Sequence, residues 1–79
     1  MANKQDVFEI EGDVAEALPN AMFRVDVKTG PEDVIGKQVL CTLSGKMRMY
    51  KIRVMPGDHV KADISIIDKI HGRITFRVK

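Results

Sequence analysis

The sequence is poor in several residues and patterns that define whole classes of protein. Its single cysteine, Cys41, excludes an internal disulfide and any metal site built from several cysteines. No apolar run is long enough to span a membrane. Residues 1–6 are polar and lead into no apolar segment, so we expect no secretory signal and a soluble, cytoplasmic protein. With 79 residues, the chain has room for one small core and little space for a deep substrate cavity.

Residues with catalytic chemistry are equally scarce. The two histidines, His59 and His71, are expected in surface loops. Cys41 alternates with apolar residues, so we expect an inert, inward-facing thiol rather than a nucleophile. The tripeptide at 44–46 (SGK) lacks the upstream glycine of a phosphate-binding loop. The sequence therefore predicts no enzyme, no phosphate-binding loop and no metal site.

Aromatic residues number only three phenylalanines and one tyrosine, with no tryptophan. Alternation with polar residues assigns Phe8, Phe23 and Phe76 to apolar faces and hence to the core. Only Tyr50 is then left free to stack on a base. A barrel that captures single strands displays several stacking aromatics, so structured RNA, read by its shape and phosphates, is the better expectation for a nucleic-acid partner.

The charge is unevenly distributed along the chain. Residues 1–36 carry three basic and eight acidic side chains, a net −5, whereas residues 37–79 carry ten basic and three acidic ones, a net +7. This asymmetry is typical of a surface that faces a polyanion, most often nucleic acid. The alternative is a solvated basic face that the acidic half balances after folding.

The basic residues fall into clusters. Four of them lie within eight residues and have no acidic residue among them: Lys46, Arg48, Lys51 and Arg53. On the last strand, Arg73, Arg77 and Lys79 are expected to share the outer face, and Arg24 occupies the outer face of the second strand. Such groups bind phosphate through charge and through the forked geometry of arginine. Met47, between two of these cations, is expected to pack against the barrel.

Hydrophobic alternation predicts five strands and one short helix. The strands are expected at 8–14, 22–27, 39–43, 60–65 and 73–79, and a polar loop at 28–36. Ser44 is a suitable N-cap for a helix over 45–51. The order β-β-β-α-β-β predicts an all-β fold, a closed five-stranded OB-fold barrel, with the SH3-like barrel as its rival. Residues 1–7 are expected to form a flexible tail and residues 8–79 a single RNA-binding domain.

Four segments closely resemble bacterial translation initiation factor one, at compatible spacing and in one order. They are 18–25 (LPNAMFRV), 43–48 (LSGKMR), 52–58 (IRVMPGD) and 72–77 (GRITFR). The resemblance implies an OB-fold protein that has no catalytic activity and no cofactor and that acts as a monomer. It also implies binding to the small ribosomal subunit at the aminoacyl-tRNA site. There the family contacts ribosomal RNA near the decoding site and a neighbouring ribosomal protein, displaces two decoding adenines and blocks premature tRNA entry. It supports initiation factors two and three in selecting the initiator tRNA.

The resemblance also implies roles for individual residues. Lys46, Met47 and Arg48 match a loop that the family inserts into an RNA groove, and Ser44 and Gly45 form its tight backbone approach. Behind that loop and on the outer strands lie further basic positions that match RNA contacts: Arg53, Arg24, Arg73 and Arg77.

The sequence departs from the family pattern at several positions. Met49 stands where a second basic residue is common, and Thr42 where a histidine is common. Lys51 replaces an aromatic residue, and Tyr50 lies one position earlier, so both are candidate RNA contacts. The loop at 28–36 is longer than in the family, and its acidic residues should turn away from RNA.

Two other functions fit a basic barrel: a cold-shock-type nucleic-acid chaperone, and a protein-interaction barrel for an acidic partner.

Overall fold

Five strands and one short helix occur in the predicted order. A computed structural model describes residues 7–67 and 69–78, and the tail expected at 1–6 lies outside them. The elements are β1 (Val7–Leu18), β2 (Met22–Thr29), β3 (Gln38–Leu43), α1 (Gly45–Met49), β4 (His59–Ser65) and β5 (His71–Arg77). β1 begins at Val7, inside the expected tail, and both histidines begin strands rather than lie in loops.

The strands close into a barrel in the order β1-β2-β3-β5-β4. All neighbouring pairs are antiparallel except β3 and β5, which are parallel. Closure leaves no unpaired sheet edge, which protects so small a sheet from pairing with other chains. The predicted OB-fold architecture, with its helix between β3 and β4, is confirmed.

β1 is the longest strand and bends enough to pair with two neighbours. Its first half lies against β4 and its second half against β2. The pairing with β2 shifts register between Glu11 and Gly12, and again between Val14 and Glu16. A side chain at Gly12 would collide with the carbonyl of Asp26, so only glycine fits at this bend.

The core is made of the inward-facing residues of all five strands. On β2, Phe23, Val25 and Val27 are buried, as the alternation predicts. Phe8 is only half-buried and packs against the edge of this core. Val34, in the loop after β2, is also buried and anchors that loop to the barrel. The fully buried set also includes Ile10, Val39, Cys41, Val60, Ala62, Ile64 and Ile74.

The expected alternation fails in the second half of β5. Ile74 pairs with Ala62 and is buried, but Phe76 pairs with Lys61, because a register shift leaves Thr75 without a partner in the ladder. The extra residue reverses the faces beyond it. The assignment of Phe76 to the core is therefore wrong: its side chain is 57% exposed on the outer face.

The same register shift in β5 also moves Arg77. It pairs Arg77 with the buried Val60, so Arg77 does not share the outer face of Arg73. Lys79 lies outside the described residues.

Candidate nucleic-acid interface

Helix α1 is held in place by its first residues. The Ser44 side chain accepts a hydrogen bond from the Met47 backbone N–H at 3.2 Å, the N-cap that the sequence predicts. The Ser44 backbone N–H donates to the carbonyl of Ile74 at 2.9 Å. The cap and the end of β3 are therefore fixed against β5, and the helix leaves the barrel at a defined point.

The helix buries one side chain and exposes its cations. Met47 is 1% exposed and lies in the core, as expected for a packing residue, whereas Lys46 and Arg48 are exposed. A helix of five residues is too short to be stable alone, so the burial of Met47 stabilises it. Met47 matches the family's inserted loop, but its buried side chain serves to fix that loop on the barrel.

The chain turns sharply after α1. The helix ends at Met49, two residues before the predicted end, and Lys51 adopts a left-handed conformation with φ of 55°. The backbone N–H of Ile52 donates to the carbonyl of Met47 at 3.0 Å, which closes the turn. This turn leaves Tyr50 64% exposed and Lys51 exposed beside it.

Arg77 fastens the segment after this turn to the barrel. Its Nη1 donates to the carbonyl of Arg53 at 3.0 Å and lies 3.9 Å from the Asp58 carboxylate. Asp58 in turn accepts a hydrogen bond from the Met55 backbone at 2.8 Å. The guanidinium of Arg77 therefore positions the backbone of Arg53, whose own side chain is exposed. These contacts bring α1, the turn and Arg53 together as one basic surface, the α1 surface (residues 45–53).

Arg24 and Arg73 lie on a second surface, the outer face of β2, β3 and β5. Arg24 pairs with Leu40 across β2 and β3, and Arg73 pairs with Thr42 across β3 and β5. Arg24 lies 3.6 Å from Glu16 in an exposed ion pair, which contributes little stability and leaves the guanidinium accessible. The two arginines thus share a face of the barrel.

His59 has partners that the sequence does not reveal. Its Nδ1 lies 2.8 Å from Asp13 and its Nε2 lies 2.9 Å from Glu11, so β4 is fastened to β1. Ionised carboxylates only accept hydrogen bonds, so both contacts are made together when the ring is protonated and both of its nitrogens donate. The hydrogen bonds that His59 donates to Asp13 and, second, to Glu11 raise the pKa of His59 above its ordinary value.

The His59 contacts predict a pH-dependent contribution to stability. Because the pKa of His59 is raised in the folded state, its hydrogen bonds to Asp13 and Glu11 contribute their full stabilisation below the unfolded pKa of about 6.5. This stabilisation is lost as the pH rises through the higher folded pKa. We expect the difference in melting temperature between the parent and His59→Gln to be larger at pH 6 than at pH 9. Circular dichroism melts would measure it, and an equal difference at both pH values would contradict the ionised state.

The environment of Cys41 does not activate its thiol. Burial raises the pKa of the Cys41 thiol to about 12, so the thiol stays protonated. Within residues 7–67 and 69–78, no three His, Cys, Asp or Glu side chains are grouped to hold a metal ion. Over the same ranges, no helix has the length and apolar character needed to cross a membrane.

The loop after β2 is connected to the segment before β5 by an ion pair. Lys69 donates to the Asp33 carboxylate and lowers the pKa of that group. Lys69 therefore forms an exposed ion pair with an acidic residue of the longer loop.

Comparisons with known proteins agree with this architecture. Residues 2–79 match the family model described as translation initiation factor 1A / IF-1. The solution structure of translation initiation factor one from the Wolbachia endosymbiont strain TRS of Brugia malayi is 38% identical, with a TM-score of 0.72. That match covers 98% of this chain and 84% of the other.

A second similar structure supports the fold alone. It is YjeQ from Thermotoga maritima, which is 24% identical with a TM-score of 0.66. The match covers 91% of this chain and 23% of that one. The full-length family match, together with the capped helix between β3 and β4, identifies the chain as a member of the translation initiation factor 1A / IF-1 family, a ribosome-associated, RNA-binding and non-enzymatic kind of protein.

Proposed function

We propose that this initiation factor binds the small ribosomal subunit at the aminoacyl-tRNA site and contacts ribosomal RNA near the decoding site through the α1 surface. The observation that carries the proposal is the arrangement of α1. Met47 anchors the helix in the core, while Lys46 and Arg48 project into solvent on either side of it. A short, rigidly held basic projection suits insertion into a groove of structured RNA.

The electrostatics of the chain support this orientation. Residues 44–55 contain no acidic side chain, so phosphates can approach the α1 surface without repulsion. Among the acidic residues of β1, Glu11 and Asp13 are bound to His59, and in the loop after β2 Asp33 is bound to Lys69. The exposed arginines offer forked donors that match phosphate geometry, which a lysine point charge cannot reproduce.

Arg24 and Arg73 extend the proposed contact along the outer face of β2, β3 and β5. Arg77 has a different role in this proposal, because its guanidinium is engaged by the Arg53 carbonyl. It positions Arg53 for RNA rather than contacting RNA itself. Ser44 and Gly45 fix the start of the projection, and Tyr50 and Lys51 flank its end.

Occupancy of this site gives the factor its role in initiation. A bound barrel blocks premature entry of elongator tRNA, displaces the two decoding adenines, and supports initiation factors two and three in selecting the initiator tRNA. A neighbouring ribosomal protein completes the contact. In this proposal the factor works as a monomer in the cytoplasm.

Binding to separated ribosomal subunits tests the proposal. We expect the chain to co-sediment with small subunits and not with large ones. Raising the salt concentration at fixed magnesium should weaken binding steeply, because log affinity falls linearly with log salt as phosphates are neutralised. Excess single-stranded RNA should compete poorly. Equal binding to both subunits or a flat salt response would contradict the proposal, and efficient competition would favour a cold-shock-type chaperone.

A further inference from the structure

Phe76 is a large apolar side chain that the fold does not use in its core. It lies on the outer face of β5, directly across from Lys61, and is 57% exposed. This position forgoes most of the stabilisation that burial of a phenylalanine provides. With Tyr50, it gives the described surface a second exposed aromatic ring, where the sequence predicts only one.

The strand holds Phe76 in a fixed position. Strands β4 and β5 are paired on both sides of the bulge. Ile74 pairs with Ala62 before it, and Arg77 pairs with Val60 after it. The Thr75 hydroxyl lies 3.4 Å from the Lys61 carbonyl, to which it donates. The backbone that carries the ring therefore has little freedom to lose on binding, which favours a ligand at this position.

The charged residue directly across from the ring is a cation. Lys61 faces it across the strands, and Arg73 is the nearest outward-facing cation further back on β5. Asp63, opposite Arg73, and the exposed Glu9, opposite Asp63 on β1, are acidic neighbours on this face. Glu11 pairs with Lys61 on the other side, but His59 binds its carboxylate at 2.9 Å. With Glu11 engaged by His59, Lys61 and Arg73 balance the carboxylates of Asp63 and Glu9, and Lys61 is the charge directly across from the ring.

The α1 surface begins beside this ring. The backbone N–H of Ser44 donates to the carbonyl of Ile74 at 2.9 Å, so the chain enters α1 next to the segment of β5 that carries Phe76. Exposed Lys46 follows two residues later. RNA bound to the α1 surface would therefore come within reach of Phe76.

We infer that Phe76 stacks on an unpaired nucleobase of the ribosomal RNA, with Lys61 beside the phosphate of that nucleotide. The inference rests on the proposed function and adds a contact that charge alone does not supply. Every base has a π-face that can stack on an aromatic ring. An apolar protein partner fits less well, because the outward neighbours Lys61, Thr75 and Arg73 are polar and the cores of protein interfaces are depleted of charge.

Two substitutions at position 76 test the inference. Phe76→Leu keeps an apolar side chain but removes the π-face. We expect its small-subunit binding to weaken about tenfold, or ~1.4 kcal/mol, with an unchanged melting temperature.

Phe76→Trp should bind at least as tightly as the parent. Because the chain has no tryptophan, the fluorescence of the introduced indole reports on stacking after subtraction of the parent complex. We expect it to be quenched on binding. Ile67→Trp, at a position 86% exposed in the loop before β5, is the control and should not be quenched.

The outcomes separate this inference from the proposed function. If Phe76→Leu binds as tightly as the parent, stacking is overturned while small-subunit binding stands. If Phe76→Leu weakens binding but the introduced indole shifts to the blue without quenching, the ring contacts an apolar protein surface and stacking is again overturned. If the parent itself fails to bind small subunits, the proposed function fails and this inference fails with it.

Discussion

Replacing Arg48 with alanine is expected to weaken small-subunit binding roughly 10- to 100-fold, in line with the loss of a hydrogen bond to a charged group. Arg48 is exposed on α1, beside the buried Met47, so its removal leaves the core intact. The circular dichroism spectrum and melting temperature should stay close to those of the parent. Equilibrium binding to small subunits measures the effect.

Arg48→Lys separates geometry from charge at the same position. A lysine retains the positive charge but loses the planar fork of donors, so we expect a loss smaller than that of Arg48→Ala yet clearly measurable. Lys51→Arg, in the same segment, should change binding less. Lys28→Ala removes an exposed cation at the end of β2 and is the charge-matched control for Arg48→Ala. If Arg48→Lys bound as tightly as the parent, the α1 surface would act only as a source of charge.

Replacing Phe23 with alanine is expected to destabilise the barrel by about 3–5 kcal/mol, because it leaves a cavity in the core. Phe23 is 7% exposed and pairs with the fully buried Cys41 across β2 and β3. Small domains have a free energy of unfolding of only ~5–15 kcal/mol. The variant should therefore melt tens of degrees below the parent, if it folds at all, at roughly 4–8 °C per kcal/mol.

Phe76→Ala is the matched control, since it makes the same chemical change on the outer face. We expect its melting temperature to fall by only a few degrees, because Phe76 is already 57% exposed. Thermal denaturation by circular dichroism compares the two variants. An equal loss of stability would mean that Phe76 lies in the core and that the bulge at Thr75 is absent.

The order of elements and most of the core follow from local patterns in the sequence. Val25 and Val27 alternate with polar residues over a stretch long enough to determine which face is buried. Ser44 is an N-cap whose hydrogen bond reaches only three residues along the chain. Short-range signals of this kind predict the five strands, the barrel and the position of α1.

The bulge in β5 leaves no such signal. Ile74, Phe76 and Val78 continue an alternating apolar pattern, which predicts that all three face inward. The register of β5 is determined by its pairing with β4, where Lys61 takes Phe76 as its partner. For that reason the sequence misplaces both Phe76 and Arg77, and the exposed ring cannot be found from the pattern alone.

The environment of His59 is unpredictable for a related reason. Its carboxylate partners lie 46 and 48 residues away, on β1. Only closure of the barrel brings β1 and β4 together, so the raised pKa of His59 depends on tertiary structure. The early end of α1 is likewise set by the turn at Lys51, whose left-handed backbone the sequence does not indicate.

Chemical probing of the small-subunit RNA tests the central claim most directly. The account predicts that saturating parent protein changes the reactivity of the two decoding-site adenines, and that large-subunit RNA shows no change. Arg48→Ala should produce a weaker change at the same total concentration. Unaltered decoding-site adenines on small subunits that are fully occupied by the parent would contradict the account, because the α1 surface would then bind elsewhere.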